Sequence, residues 1–170
     1  LQAWAGHPFM VLRPNADTIL HATDFGDTLQ YVTNSYPTSI KSSDLNDDGK
    51  TDIVSAIYFN TNRVSVFRNR TDSMFSLFDI ARDYATYSGS FGASSGNTVG
   101  AALADMNGDG KTDIITVSAY PDSLSIFPNT SQNNEVIFSK KKDFLTGSDA
   151  VNVTTGDIDL DGIPDVACIN

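Results

Sequence analysis

The fold of this chain can be read from one stretch, residues 44–56, which reads DLNDDGKTDIVSA. Four acidic residues and one asparagine fall within nine positions, and an apolar, β-branched run follows at once. Nearly the same text returns as DMNGDGKTDIITV at 105–117 and as DIDLDGIPDVACI at 157–169. The copies begin 61 and 52 residues apart, and recurrence at such a period indicates a repeat architecture.

The segments around each copy have the composition of β-strands joined by turns. They are rich in Val, Ile, Phe, Thr and Ser and are bounded by Asn, Asp, Gly and Pro. No stretch shows a convincing helical period, so the sequence predicts an all-β fold built of β-propeller blades with four strands each. The strand-like segments lie at 39–45, 52–59, 62–69 and 74–81 around the first copy, at 99–105, 113–120, 122–129 and 135–144 around the second, and at 151–157 and 165–170 around the third.

The two ends of the chain are predicted to be incomplete blades. FMVLRPNADTIL at 9–20 aligns without a gap with VSVFRNRTDSMF at 64–75, which follows the first acidic motif. About three blades' worth of sequence is too little to close a ring. Two interpretations stay open: the chain is a fragment of a larger propeller, or two copies complete each other's half-blades as a homo-oligomer. The predicted segments are a trailing half-blade at 1–30, blades at 38–84 and 98–146, and a leading half-blade at 150–170.

The repeated pattern D-x-[ND]-x-D-G-x-x-D predicts a calcium site, because alternating positions in a tight loop bring many oxygens to one point. A turn without an ion is the alternative, but clustered carboxylates would then repel one another. The motifs contain no Cys or His, which disfavours zinc and copper. Up to three Ca²⁺ ions are expected, with these oxygen donors: Asp44, Asn46, Asp48, the Lys50 carbonyl and Asp52; Asp105, Asn107, Asp109, the Lys111 carbonyl and Asp113; Asp157, Asp159, Asp161, the Ile163 carbonyl and Asp165.

These motifs resemble the FG-GAP/VCBS repeats of integrin-α-type calcium-binding β-propellers, and the resemblance extends over essentially the whole chain. It implies antiparallel four-stranded blades in which Ca²⁺ is held in the loop between the first and second strands. It also implies a secreted or cell-surface protein. Millimolar external calcium suits extracellular sites with Kd values of roughly 10⁻⁴–10⁻³ M.

Charge and composition exclude several classes of function. The formal net charge of −10 argues against nucleic acid as a partner, and the absence of a long apolar run argues against membrane insertion. GASSG at 92–96 places Ser94 as a nominal nucleophile, but both histidines, His7 and His21, precede it, so no enzyme is expected. The N-terminus lacks the pattern of a signal peptide and an initiator Met, so we expect a mature form or an excised piece.

The sequence therefore predicts a non-catalytic, calcium-stabilised extracellular propeller segment that mediates adhesion or binds a protein or carbohydrate, with the ligand unknown. Two alternatives stay open: the non-catalytic propeller part of a larger secreted polysaccharide-acting enzyme, and a structural spacer. Three N-x-[ST] sequons begin at Asn69, Asn129 and Asn152, and a host that glycosylates secreted proteins would recognise them.

Overall fold

The computed structural model describes residues 8–11, 29–33, 35–58, 62–71, 77–86 and 97–170. In these ranges the chain forms β-strands and no helix, which confirms the predicted all-β class. His7, His21 and Ser94 lie outside the described residues. The strands are β1 (Pro8–Val11), β2 (Leu29–Val32), β3 (Tyr36–Ser43), β4 (Asp52–Tyr58), β5 (Arg63–Phe67), β6 (Arg82–Ala85), β7 (Asn97–Ala104), β8 (Asp113–Tyr120), β9 (Asp122–Phe127), β10 (Lys142–Leu145), β11 (Asn152–Gly156) and β12 (Asp165–Ile169).

Two sheets have the four antiparallel strands of a propeller blade, as predicted. The first blade has the order β3-β4-β5-β6, and the second has the order β7-β8-β9-β10. Each strand therefore pairs with its neighbour in sequence. The second strands β4 and β8 are almost entirely buried, because sheets pack against both of their faces. No sheet among the described strands closes into a ring.

The two remaining sheets have two strands each and correspond to different halves of a blade. β1 pairs with β2 from Pro8↔Val32 to Val11↔Leu29, the same pattern by which β5 pairs with β6. β11 pairs with β12 and ends at Gly156↔Asp165, just as β3 and β7 end opposite the last Asp of their own loops. The first pair thus corresponds to the last two strands of a blade, and the second pair corresponds to the first two.

The fourth strands begin later than the prediction, which placed them at 74–81 and 135–144. Residues 74–76 lie outside the described residues, and 142–144 at the end of the second segment do lie in β10. The fourth strands are β6 and β10, which begin at Arg82 and Lys142. In the second blade, the apolar run before β10 instead belongs to a short hairpin that follows β9. This hairpin is formed by residues 128–139 and is called the 128–139 hairpin. The Thr130 N–H donates to the Ile137 carbonyl at 2.8 Å, and the Ser139 N–H donates to the Pro128 carbonyl at 2.9 Å.

Aromatic side chains join consecutive units in the same way at two places. Tyr84 of the first blade packs edge-on against Phe127 and Phe138 of the second, with ring centroids 6.4 and 5.1 Å apart. Tyr31 on β2 makes the same contacts with the first blade's Phe67 and Phe78, again at 6.4 and 5.1 Å. Around Tyr84 lies the apolar core between the two blades, formed by Leu45, Val54, Val64, Val66, Ile114, Phe127 and Val136.

Candidate metal sites

The three acidic motifs form loops at equivalent places in the fold. Loop 1 (44–52) joins β3 to β4, loop 2 (105–113) joins β7 to β8, and loop 3 (157–165) joins β11 to β12. Each loop therefore lies between the first and second strands of its unit, which is the position that the family resemblance implies.

The first aspartate of each loop organises the loop backbone. In loop 2, Asp105 Oδ1 accepts hydrogen bonds from the N–H groups of Asn107, Gly108 and Asp109, and its Oδ2 accepts one from Gly110 at 2.7 Å. The bond from Gly110 is the main reason that the pKa of Asp105 is lowered. The carboxylate is thereby kept charged, and the loop curls around it.

The same arrangement recurs in the other two loops. Asp44 accepts from the Gly49 N–H at 2.7 Å, and Asp157 accepts from the Gly162 N–H at 2.9 Å. Each loop also places its fourth and sixth residues in the left-handed region, which glycine adopts with the least strain. The φ angles are 58° and 80° for Asp47 and Gly49, 73° and 85° for Gly108 and Gly110, and 63° and 89° for Leu160 and Gly162.

In loops 1 and 2, the aspartate at the ninth position links the loop to the residues that follow the third strand of the blade. Asp113 is fully buried, and its two oxygens accept from the N–H groups of Met106 at 3.0 Å and Asn129 at 2.7 Å. Asp52 makes the equivalent bonds with Leu45 and Asn69. Burial raises the pKa of Asp52 and of Asp113, and the negative charges of neighbouring loop carboxylates raise it further.

Asp165, the ninth residue of loop 3, is more exposed than its two counterparts. It accepts a hydrogen bond from the Ile158 N–H at 2.9 Å, which matches the bond that Met106 donates to Asp113. Loop 3 therefore keeps the internal geometry of the other two loops and has a more accessible carboxylate.

The fifth and seventh residues are joined to each other in every loop. In each loop the N–H of the seventh residue donates to Oδ1 of the fifth. The bonds run from Lys50 to Asp48 at 3.0 Å, from Lys111 to Asp109 at 2.9 Å and from Ile163 to Asp161 at 2.7 Å. All fifteen predicted donor residues thus lie within three loops of closely similar hydrogen bonding.

Two observations concern the fit of an ion to these loops. In loop 3, oxygens of Asp157, Asp159 and Asp165 all lie within 4.8 Å of one another. Two oxygens bound to one Ca²⁺ at about 2.4 Å are at most about 4.8 Å apart. In loop 1, Asn46 is only 5% exposed, and its Oδ1 has no hydrogen-bond partner. A buried oxygen without a partner is costly, and a bound cation would satisfy it.

A family model described as FG-GAP-like repeat matches residues 44–116 and 105–168. Both matches begin at the first aspartate of a loop, and together they span more than half of the chain. The chain belongs to the FG-GAP-like repeat family. Such repeats indicate a propeller-type repeat domain and are typical of extracellular proteins. A comparison with curated proteins finds no match. Within the described ranges, no helix is long and apolar enough to cross a membrane.

The FG-GAP-like repeats also contain a linking residue that the sequence reasoning did not recognise, Asn129. Its side-chain N–H groups donate to the carbonyls of Leu45 in loop 1, at 2.8 Å, and Thr112 in loop 2, at 2.9 Å. Its Oδ1 accepts from the Ser131 N–H at 2.8 Å. A signal was available, because Asn69 follows Phe67 by two residues just as Asn129 follows Phe127.

The burial of Asn129 also determines whether its sequon can carry a glycan in the folded protein. The residue is 1% exposed and both polar ends of its side chain are hydrogen-bonded, so the folded FG-GAP-like repeat has no room for a glycan there. Asn152 is exposed, and Asn69 is partly exposed.

Proposed function

We propose that this chain is a calcium-stabilised, non-catalytic propeller segment of an extracellular protein. The observation that carries the proposal is the convergence of Asp157, Asp159 and Asp165 within 4.8 Å of one another. The partnerless, buried Oδ1 of Asn46 supports the same assignment in a second loop. Both observations support a cation with oxygen ligands.

Calcium suits these loops better than the other common cations. Their donors are carboxylates, amides and backbone carbonyls, without the nitrogen or sulfur ligands that zinc and copper prefer. Magnesium keeps several of its waters and demands octahedral geometry, whereas Ca²⁺ accepts six to eight oxygens in a flexible arrangement. A nine-residue loop that curls around its first carboxylate offers such an arrangement.

The ion would act on stability, because the loops gather carboxylates that repel one another when no cation is bound. Binding to the folded loops alone stabilises the protein by mass action, by about 1.4 kcal/mol per site at a calcium concentration ten times Kd. The role that we propose for the stabilised segment is adhesion, through binding of a protein or carbohydrate. Its place in a repeat family typical of extracellular proteins supports that role.

Thermal unfolding in calcium and in EDTA tests the calcium proposal. We expect a higher melting temperature in millimolar CaCl₂ than in EDTA, a smaller effect of MgCl₂, and up to three sites in a calorimetric titration. The variant Asp157→Asn with Asp165→Asn serves as a control and should lose one site. Identical melting curves in calcium and EDTA would contradict the proposal. A glycan array and a protein-binding screen, each repeated with EDTA, test the adhesive role.

A further inference from the structure

Loop 1 differs from loops 2 and 3 because the next blade covers it. Asn46, its third residue, is 5% exposed, whereas Asn107 and Asp159 at the same position are exposed. The cover is the 128–139 hairpin of the second blade. Asn46 Nδ2 donates to the Asn134 carbonyl at the tip of this hairpin, at 2.5 Å.

The side-chain nitrogen of Asn46 donates one hydrogen bond to each of the two blades. One N–H donates to Asn134 of the second blade, and the other donates to Asp48 Oδ2 in loop 1 at 3.3 Å. Both donors of the amide are therefore used, and Oδ1 is its one atom without a partner. Because the amide is planar, its nitrogen bonds fix the direction in which Oδ1 points.

The hairpin presents the Asn134 carbonyl from a tight, hydrogen-bonded turn. Asn133 and Asn134 both have left-handed backbones, with φ of 52° and 62°, as a type I′ turn requires. Gln132 and Glu135 exchange backbone hydrogen bonds across that turn, at 2.9 and 3.3 Å. Val136, directly after it, is 5% exposed in the core between the blades.

The first blade holds the same carbonyl with a second donor. Arg68 Nη1 donates to the Asn134 carbonyl at 3.1 Å and to Glu135 Oε1 at 2.5 Å. Loop 2 offers the contrast, because Asn107 Nδ2 donates to Asp109 within its own loop, at 3.1 Å.

We propose that Asn46 is a positioning residue that makes the cation site of loop 1 part of the interface between the first and second blades. The inference rests on the calcium binding proposed above. The same amide that would give its oxygen to the cation holds the Asn134 carbonyl with its nitrogen. Occupancy of loop 1 and docking of the hairpin therefore favour each other, and such a coupling acts equally in both directions.

Two matched substitutions, Asn46→Asp and Asn107→Asp, separate this role from ion binding. Aspartate is the natural third residue of loop 3, at Asp159, so each variant keeps an oxygen ligand in its loop. Only Asn46→Asp removes the N–H that reaches Asn134. The readout is hydrogen exchange of the 132–139 peptide, followed by mass spectrometry in calcium and in EDTA.

We expect calcium to slow exchange of this peptide by about tenfold in the wild type, the effect of about 1.4 kcal/mol. The Asn107→Asp variant should respond as the wild type does. The Asn46→Asp variant should lose most of the response of the hairpin even when a calorimetric titration finds as many calcium sites as in the wild type. An undiminished response in Asn46→Asp would overturn the proposal.

A variant outside the loops tests the reverse direction and covers the case in which Asn46→Asp does not fold. Arg68→Lys removes the guanidinium that holds Asn134 and keeps the positive charge that acts on Asp48 of loop 1. In a background where Asp109→Ala and Asp161→Ala disable loops 2 and 3, it should weaken calcium binding several-fold, and unchanged affinity would overturn the coupling. A wild type that binds no calcium refutes the proposed function itself. Calcium binding without any response of the 132–139 peptide refutes only the coupling.

Discussion

Replacing Asn129 by alanine measures how strongly one side chain joins the two blades. The residue is 1% exposed, and its amide donates to Leu45 of the first blade and to Thr112 of the second. It also accepts a hydrogen bond from the Ser131 N–H. Alanine removes all three bonds and leaves the Leu45 carbonyl without this donor. Leu45 is itself only 2% exposed.

The expected loss follows from the count of bonds. A typical intramolecular hydrogen bond contributes a net 0.5–1.5 kcal/mol, so three bonds give a loss of about 3 kcal/mol in the free energy of unfolding. Asn69 is the matched control in the first blade. Its amide donates to the Thr51 carbonyl at 2.9 Å and accepts from the Thr71 N–H at 3.1 Å, at a partly exposed position. Asn69→Ala should therefore cost about 2 kcal/mol or less.

Urea unfolding in saturating calcium, followed by far-ultraviolet circular dichroism, provides the measurement. With a denaturant slope of about 2 kcal/mol/M, the midpoint should fall by about 1.5 M for Asn129→Ala and by about 1 M or less for Asn69→Ala. The difference reports the bond from Asn129 to Leu45. Equal losses in the two variants would refute the conclusion that Asn129 joins the blades.

Three further outcomes are expected. The pKa of Glu135 is lowered, chiefly by the hydrogen bond from Arg68, so its contribution to stability is present above the unfolded value of 4.5 and is lost as the pH falls below it. Wild type should therefore lose more thermal stability than Glu135→Gln on acidification, and parallel losses would contradict this. Leu160→Gly should raise the free energy of unfolding by about 0.5–1 kcal/mol, because the relief of left-handed backbone strain exceeds the entropic cost of glycine. A variant that is less stable than the wild type in urea unfolding would argue against that strain. In a glycosylating host, peptide mass spectrometry should find a glycan on Asn152 and none on Asn129 in the folded protein, and an occupied Asn129 would show that the site opens.

The sequence was sufficient for the loops and for the strands beside them, because both are specified locally. Alternating oxygen-bearing residues and a sixth-position glycine determine the loop, and the runs that form β4 and β8 are rich in β-branched and apolar residues. These signals lie within a dozen residues of one another, and three copies repeat them.

The fourth strands were predicted to begin too early, because their identity is not local. β10 reads KDFL and is exposed along its whole length, so only its pairing with β9 makes it a strand. The apolar run 136–138 looked more like a strand and instead packs in a hairpin against the first blade. The bond from Asn129 to Leu45 spans 84 residues, and no short-range pattern reports such a distance. The left-handed backbone of Leu160 likewise follows from the loop as a whole and not from the residue type.

The cover over loop 1 has a consequence for synthesis on the ribosome. The carbonyl that meets Asn46 belongs to a residue 88 positions later in the chain. At roughly 5–20 residues per second, about 4–18 s pass between translation of the loop and translation of its cover. In the later part of that interval, once Ala85 has been translated, the nascent first blade has all four of its strands and an uncovered ion loop. The first blade is thus completed only by its successor, so its ion loop matures after translation of that blade has ended.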